Sequence, residues 1–597
     1  MKRTGLCLLA ATLLCLLSAT LAHAGDEGAI SMGGVPTIAD IKAPVTYFYA
    51  DKVAYQPGES VVLKLTQNGN DNPFPFNAPF ASYFIYLENM QTGEKRYFSA
   101  QRHSFLPVGE ITEMFGNKAT AASGNKYYSY FVPTIQDYVF FGPGGYFGGA
   151  LPVPSEMGTY RYVMELRDTT GTLIQSQGFA PFAVVTGNEV LSGSINSDRT
   201  LTNDKSYLLN GIVYVEDGAT LTIEPGTIIF GDQDSIGGLC IKQGGKINAV
   251  GTSSRPIIFT SASPVGQRDQ GDWFGIAIAG RAPINVEGGV GFVEGLEGVQ
   301  YGGGDNPDPH DNSGIMRYVR LEYAGIKFNP ESEANGLYLN GVGDQTIIEY
   351  MHFNNNQDDN IEFFGGTVNV KYIYCTLGED DQFDWTEGWS GKAQFIVTHV
   401  FSNTEGNRGI EADNLSSNHD ATPRSNPQIY NMTIVGPRVD TGESEGVPDH
   451  GLMLRRGTSG NLHNFIVIGY GRDAINITDD ATFAHGGLVF DNAILYNNGV
   501  FGPNGSPIGG GAFGNQKTKD YIDTHSKKVL IDTDPKLIDP YNELTPNYMP
   551  GYLSPAMRID VVKVPPDDGF FEHVDFIGGI GPDYDWMAGG WIYVSPK

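Results

Sequence analysis

The chain has 597 residues and carries 68 Asp and Glu against 38 Lys and Arg, a net charge of -30. Such a surface repels nucleic acid and anionic membranes and suits cations or neutral partners, although the same charge also serves simply to keep an exported protein soluble. Four cysteines in so long a chain exclude a disulfide scaffold, and the length calls for more than one domain or for a repeat architecture that grows along an axis.

The first residues, MKRTGLCLLAATLLCLLSATLAHAG, place Lys2 and Arg3 before an apolar run and end it with Ala22-His23-Ala24. That is the layout of a secretory signal peptide over 1–24. Neither Cys7 nor Cys15 follows a small residue, so no lipid anchor is expected, and no later stretch approaches the ~18 apolar residues of a membrane helix. Loss of Lys2 and Arg3 leaves 36 basic against 68 acidic residues, a mature net charge of -32. Only Cys240 and Cys375 remain, both in apolar-alternating segments where a buried free thiol is expected.

Residues 25–43 are small, polar and aperiodic, and read as a linker. Segments such as ADKVAYQPGESVVLKLTQ and MGTYRYVMELRDTTGTLIQSQGFAPFAVV then alternate apolar and polar residues between Pro-Gly, Thr-Gly and Gly-Thr turns. Period two predicts antiparallel strands, and residues 44–187 are expected to form an immunoglobulin-like β-sandwich. The aromatic, Gly-rich insert YVFFGPGGYFGGALP (138–152) is expected as a packed loop; exposed instead, it would suit a surface adhesin or assembly subunit.

From about residue 188 the texture changes to short β-prone runs separated by Gly, Asn and Asp. RYVRLEYAG, EYMHFNNNQ, KYIYCTLGE, QFIVTHVFS, YNMTIVGP, NFIVIGYG and NAILYNNG align with Val319, Met351, Ile373, Ile396, Met432, Ile466 and Ile494 in one column. Each unit carries a second strand: NGLYLN, NIEFFG, QFDWTEG, GIEADN, GLMLRRG and AINITDD. Units of about 22 residues with short strands and no helices are what the coils of a parallel β-helix look like, with function expected in loops inserted at the corners.

The runs EGLEGVQYGGG, DNSGIMRYVRLEYAG, DDNIEFFGGTVNVKY, DDQFDWTEGWSGKAQF and GIEADN, with the ending FFEHVDFIGGIGPDYDWMAGGWIYV, resemble a group of secreted bacterial right-handed parallel β-helix proteins of pectin-lyase-like fold. The resemblance covers residues 188–597 and leaves out the front sandwich. It implies an all-β protein with the β-helix over 188–560 and a C-terminal capping segment over 561–597, and it implies no particular activity.

In such a fold equivalent positions of successive coils stack ~4.8 Å apart, and side chains alternate between core and exterior. Leu337, Leu339, Ile361, Phe363, Phe383, Trp385, Ile410, Ala412, Leu452, Leu454, Ile475 and Ile477 then point inward, with Tyr338, Glu362, Asp384, Glu411, Met453 and Asn476 pointing out between them. Glu362, Asp384 and Glu411 form an acidic ladder, flanked by Asp358, Asp359, Asp380, Asp381 and Asp413. Unit charges ~5 Å apart repel by roughly 3 kcal/mol at an effective dielectric of about 20. Three things relieve that: a bound cation, a bridging arginine such as Arg408, or a carboxyl kept protonated. Ca2+, held by Glu362, Asp384, Glu411, Asp359, Asp380 and Asp381, fits irregular carboxylate cages. The plain alternative is a solvated acidic stripe whose Asp residues simply turn well.

The same acids serve an enzyme reading as polysaccharide lyase or glycoside hydrolase, with Asp384, Glu411 and Glu362 as candidate catalytic carboxylates and His450 and Arg455 alongside. No full catalytic motif set assembles, and HExxH, Gly-x-Ser-x-Gly, CxxC and Walker signatures are absent. Tyr338 and Trp389 could stack on a sugar ring with Arg408 and Arg455 near them; Trp389 could equally plug a corner. The sequence therefore reads as an exported, extracellular or cell-surface (or periplasmic) binding or structural module with a cation-holding face. Its expected ligand is carbohydrate or a cell-surface polymer, and catalysis is the alternative.

Overall fold

The computed structural model describes residues 45–68, 82–99, 104–107, 136–141, 151–167, 173–178, 182–329, 332–401, 408–438, 450–499, 511–543, 546–558, 560 and 562–594. The signal peptide expected over 1–24, the linker expected over 25–43 and residues 142–150 of the aromatic insert lie outside them. No helix among the described residues is long and apolar enough to cross a membrane.

The front strands pair as their period-two patterns require. Val45–Ala50, Leu63–Asn68 and Gln136–Phe141 form one antiparallel sheet. Gly158–Arg167 is the centre of another, flanked by Ser82–Asn89, Leu173–Gly178 and Phe182–Val184. Tyr55, Tyr160 and Tyr162 pack their rings on Phe182.

From Asn188 onward every coil adds a parallel rung. One long sheet runs from Asn188–Leu191 through Ser206–Leu209, Ile228–Gly231 and Ile257–Ser261 to Val529–Ile531; another runs from Ser194–Ile195 to Gly511–Phe513. The architecture is all-β, and these stacked parallel strands form the right-handed parallel β-helix that the sequence predicts. Its interior is one continuous column of apolar side chains. Leu339, Phe363, Trp385 and Leu454 line it from one sheet and Met351, Ile373 and Ile396 from the other, all fully buried. A continuous core of this kind lets a repeat architecture grow without splitting into domains.

The aligned column holds through Val319, Met351, Ile373, Ile396 and Met432. It then slips by one residue: Phe465 pairs with Met432, and Ala493 with Phe465. Ile466 and Ile494 therefore face outward, into a separate apolar layer on the flank. Phe and Ile are equally apolar in NFIVIG, so composition alone did not fix the register.

That flank is built on an unusual corner. The strand Gly314–Glu322 pairs first with Lys246–Val250 and then with Ile257–Ser261, bending at Tyr318. Tyr318 and its equivalents Tyr350, Tyr372, Phe395, Asn431, Asn464 and Asn492 all have φ between 50 and 61°. Asparagine tolerates this left-handed region, whereas tyrosine and phenylalanine are strained in it. The rings compensate by stacking, with centroids 4.3, 4.2 and 5.2 Å apart down the column.

The aromatic C-terminal segment lies along this corner and does not close the end of the helix. Asn464 exchanges two hydrogen bonds with the backbone of Lys563, and Asn431 Nδ2 donates to Phe576 O. Further along the segment Trp586 packs on Tyr372, and Trp591 packs edge-on against Tyr318 and Tyr350. The segment thus runs back against the order of the coils as a strap. The coil interior is closed at its far end by the helix Gln516–His525, whose Tyr521 and Ile522 join the core.

Cys240 and Cys375 are free and buried, and burial pushes the Cys240 thiol up to about 12.

Candidate functional site

The sheet that begins at Ser194 carries the acids. Its register stacks Tyr338, Glu362, Asp384, Glu411, Met453 and Asn476 in a single column, pointing away from the coil interior. The column is not an open stripe, however. Tyr338 is fully buried, Asp384 and Glu411 are 8% and 7% exposed, and among the acids of the column only Glu362 keeps some contact with solvent. Turns entering the coils fold over the ladder and cover it.

Those turns are held by buried amides. Asn356 Nδ2 donates to Asn360 Oδ1 at 2.6 Å, Asn360 Nδ2 to Gln382 Oε1 at 2.8 Å, and Gln382 Nε2 to Gly378 O at 3.2 Å. Each bond links one acidic turn to itself or to the next, so Asp358-Asp359 and Asp380-Asp381 are fixed at matching places. Asp359 Oδ1 accepts from the Asp381 amide at 2.9 Å, and Asn335 Oδ1 accepts from the Asp359 amide at 3.2 Å. Asn335 Nδ2 in turn donates to Glu362 Oε2 at 2.5 Å.

Carboxylate oxygens converge here in four overlapping triads: Glu333, Asp358 and Asp380; Asp359, Glu362 and Asp384; Asp359, Asp380 and Asp381; and Asp381, Asp384 and Glu411. Within each triad the oxygens lie within 4.8 Å of one another. All six predicted metal-binding acids are in this cluster. Glu333, Asp358 and Asn335 complete it. Asp358 stood out as one of a repeated Asp pair, but Glu333 arrives on the hairpin strand Ser332–Glu333, outside the repeat, and carried no sequence signal.

Burial is the first cause of the cluster's electrostatics. It holds the carboxyls of Asp358, Asp359, Glu362, Asp381 and Asp384 well above the usual range, and neighbouring acids raise them further. Glu411 is pushed up to about 8 by burial and by Asp384, against the pull of Arg408 and Arg455. Arg408 Nη1 lies 2.9 Å from Asp381 Oδ2 and 2.5 Å from Glu411 Oε1. Arg455 binds Glu411 through Nη2 and Asp413 Oδ1 through Nε at 2.9 Å, and Arg456 reaches Asp413 Oδ2 at 2.6 Å. Arginine bridging, weighed against a cation from sequence, is thus present over part of the ladder. Asp381 Oδ1 and Asp384 Oδ1 are buried with no hydrogen-bond partner, which is costly for a carboxylate.

Other expected residues fall elsewhere. Trp389 is fully buried, stacked 4.0 Å from Phe363, and its Nε1 donates to Val368 O. It plugs a coil corner, and like the buried Tyr338 it offers no face to a sugar. His450 is buried and pairs through Nδ1 with Asp473 Oδ1 at 2.9 Å and through Nε2 with Asn476 at 3.3 Å, so its ring is committed to the next coil.

Beside the cluster, Glu387 Oε2 accepts from the Tyr301 hydroxyl at 2.7 Å. Burial raises its carboxyl to about 7; the Tyr301 bond opposes the shift and Glu294 adds to it. The folded state thus keeps this proton over a range where the unfolded chain, at its ordinary 4.5, has lost it. Stability from this group is full below about pH 4.5 and falls as pH rises to about 7, by about 1.4 kcal/mol per pH unit and about 3 kcal/mol in all. Glu387→Gln is expected to flatten that part of the profile. Urea unfolding of both proteins between pH 4.5 and 7.5 checks it, and parallel profiles would refute the assignment.

The model of a pectate-lyase-like β-helix domain matches residues 193–501, just over half of the chain. No curated protein matches. Among solved structures, the family 28 exopolygalacturonase of Yersinia enterocolitica aligns at 9% identity over 82% of this chain and 97% of that one, with a TM-score of 0.17, which carries no argument about function. With the coils, the register and the family match in agreement, the chain belongs to the pectate-lyase-like β-helix family.

Proposed function

We propose that this chain is an exported binding module that holds a divalent cation in the acid cluster of its β-helix and uses that face to engage carbohydrate. One observation carries the reading. Cleavage of a glycosidic bond by paired acids calls for an open groove with carboxyls about 5 to 9.5 Å apart, whereas a metal site calls for oxygens converging on a point. Here the oxygens converge, within 4.8 Å in every triad, on covered ground. The guanidiniums of Arg408 and Arg455, 18% and 24% exposed, edge the same cluster and suit sugar hydroxyls, and the pectate-lyase-like family supplies the carbohydrate expectation.

A ligand bound only by the native state stabilises it by about 2.7 kcal/mol at a hundredfold excess over Kd. Melting is expected to rise by a few degrees with Ca2+ and to fall with chelator, and Asp384→Asn is expected to weaken both responses. Identical melting of the Ca2+-loaded and chelated protein would refute the reading.

Polysaccharide cleavage is favoured by one specific observation: burial and Asp384 push the Glu411 carboxyl up to about 8, toward the range of a proton donor, against the pull of Arg408 and Arg455. Loss of glycan cleavage in Glu411→Gln, with Ca2+-dependent melting unchanged, would replace the binding reading with that one.

A further inference from the structure

We infer that two copies of the chain join tail to tail, the last rung of the long sheet, Val529–Ile531, pairing with the same rung of the second copy in antiparallel register centred on Leu530. The inference is independent of the acid cluster and of the reading built on it.

That rung pairs with Leu488–Tyr496 on the preceding coil, Ala493 to Val529, Ile494 to Leu530 and Leu495 to Ile531, and with no other strand among the described residues. Leu495 belongs to the core and is 1% exposed, whereas Ile531, the next residue in the same inward column, is 40% exposed. The helix Gln516–His525 therefore leaves this side of the column uncovered. The chain leaving the rung turns sideways instead of across it: the hairpin of Leu537–Asp539 with Asn547–Pro550 packs Leu537 and Met549 against the apolar layer of the flank. Asp532 N–H donates back to Leu495 O at 2.9 Å, so strand alternation turns the N–H and C=O groups of Val529 and Ile531 to the open side, where the Ile531 carbonyl accepts from the Thr533 hydroxyl at 3.2 Å. An edge of this kind is a template for another strand.

Charge selects the partner. Antiparallel pairing about Leu530 sets Val529 opposite the partner's Ile531, so that their open backbone groups bond to one another and the two apolar columns meet. The same register sets Lys528 opposite the partner's Asp532, and the two-fold axis repeats the pair. Both side chains are exposed, and the Lys528 ammonium rests on a backbone oxygen, Asp560 O, at 2.5 Å. Opposite charges directly across a strand pair attract, and like charges repel. The other way to cover the edge is head-to-tail growth on the first rung, Asn188–Leu191, with the inward Leu191 continuing the column over Ile531. That register sets Asn188 on Lys528 and Ser192 on Asp532, and it leaves both charges without a counter-charge.

Sedimentation velocity of the full chain at low salt, over a wide range of concentration, tests this. A monomer–dimer equilibrium with no larger species is expected. Lys528→Asp is expected to raise the Kd of the dimer by about tenfold or more, because it turns both cross-strand attractions into repulsions. Asp532→Lys is expected to do the same, and the two substitutions together are expected to restore the dimer. Lys528 and Asp532 have φ of 55 and 53°, so the exchange places each residue type in a conformation that the other already holds, and both side chains are exposed, so the variants fold. A monomer at every concentration overturns the inference, as does a double variant that pairs no better than Lys528→Asp alone. Species that lengthen with concentration overturn it in favour of head-to-tail stacking.

Discussion

Phe363→Asp and Ile373→Asp are each expected to cripple folding. Both side chains lie fully buried in the continuous column of the β-helix, and Phe363 also stacks on Trp389 at 4.0 Å and packs on Phe383 at 5.0 Å. Aspartate there loses the apolar contacts of a core residue, worth about 2 to 5 kcal/mol, and adds the cost of a buried carboxyl with nothing to bond. Met453→Asp is the control, because Met453 sits on the same sheet but points outward and is half-buried, within reach of Arg455. Thermal melts of the three variants check the assignment of faces. Large losses for the first two and a small one for the third are expected; equal losses would mean that the coil interior is misassigned.

The face assignment was legible because apolar residues at positions two apart fix which way a strand turns, and Ile361 with Phe363, or Leu452 with Leu454, leaves one solution. The same alternation placed Glu362, Asp384 and Glu411 in one column. It could not show that the column is covered, since the cover comes from turns whose positions depend on buried amides such as Asn360 and Gln382. Nor could it pair Arg408 with Asp381, 27 residues away on the preceding coil. The left-handed corner was hidden for a different reason. Asparagine at 431, 464 and 492 is a fair signal for φ above zero, but Tyr318, Tyr350, Tyr372 and Phe395 at equivalent places point the other way, and only stacking and the strap make them tolerable there. The strap itself read as an end cap because the resemblance makes it the closing segment, and its aromatic composition says that it covers apolar surface without saying which.

Under the strap lies the second large expected effect. Arg320 and Glu322 are 1% and 2% exposed, with Nε and Oε1 2.5 Å apart. They flank the inward-pointing Leu321 and so sit on the outer side of the long sheet, where Tyr593 of the strap covers the Arg320 guanidinium at 5.6 Å. Glu322 Oε2 accepts from the Thr260 hydroxyl at 2.9 Å, and Thr260 Oγ1 accepts from Arg268 Nη1 at 3.0 Å. Two buried guanidiniums therefore face Glu322, and Arg268 also feels the buried Asp272. Burial draws Arg268 below its ordinary value, and the charge of Glu322 opposes that shift while Arg320 adds to it. Breaking a buried pair by removing one member typically costs about 3 to 5 kcal/mol, because the survivor is left charged and unpaired. The two removals are not equivalent here. Arg320→Met leaves Glu322 with Thr260 and the field of Arg268, whereas Glu322→Gln leaves Arg320 without its carboxylate and Arg268 with the charge of Asp272. Glu322→Gln is expected to be the more damaging in equilibrium unfolding, and Arg320→Met combined with Glu322→Gln is expected to recover part of the loss. A double variant no more stable than Glu322→Gln alone would show that Arg320 is neutralised by something other than this glutamate.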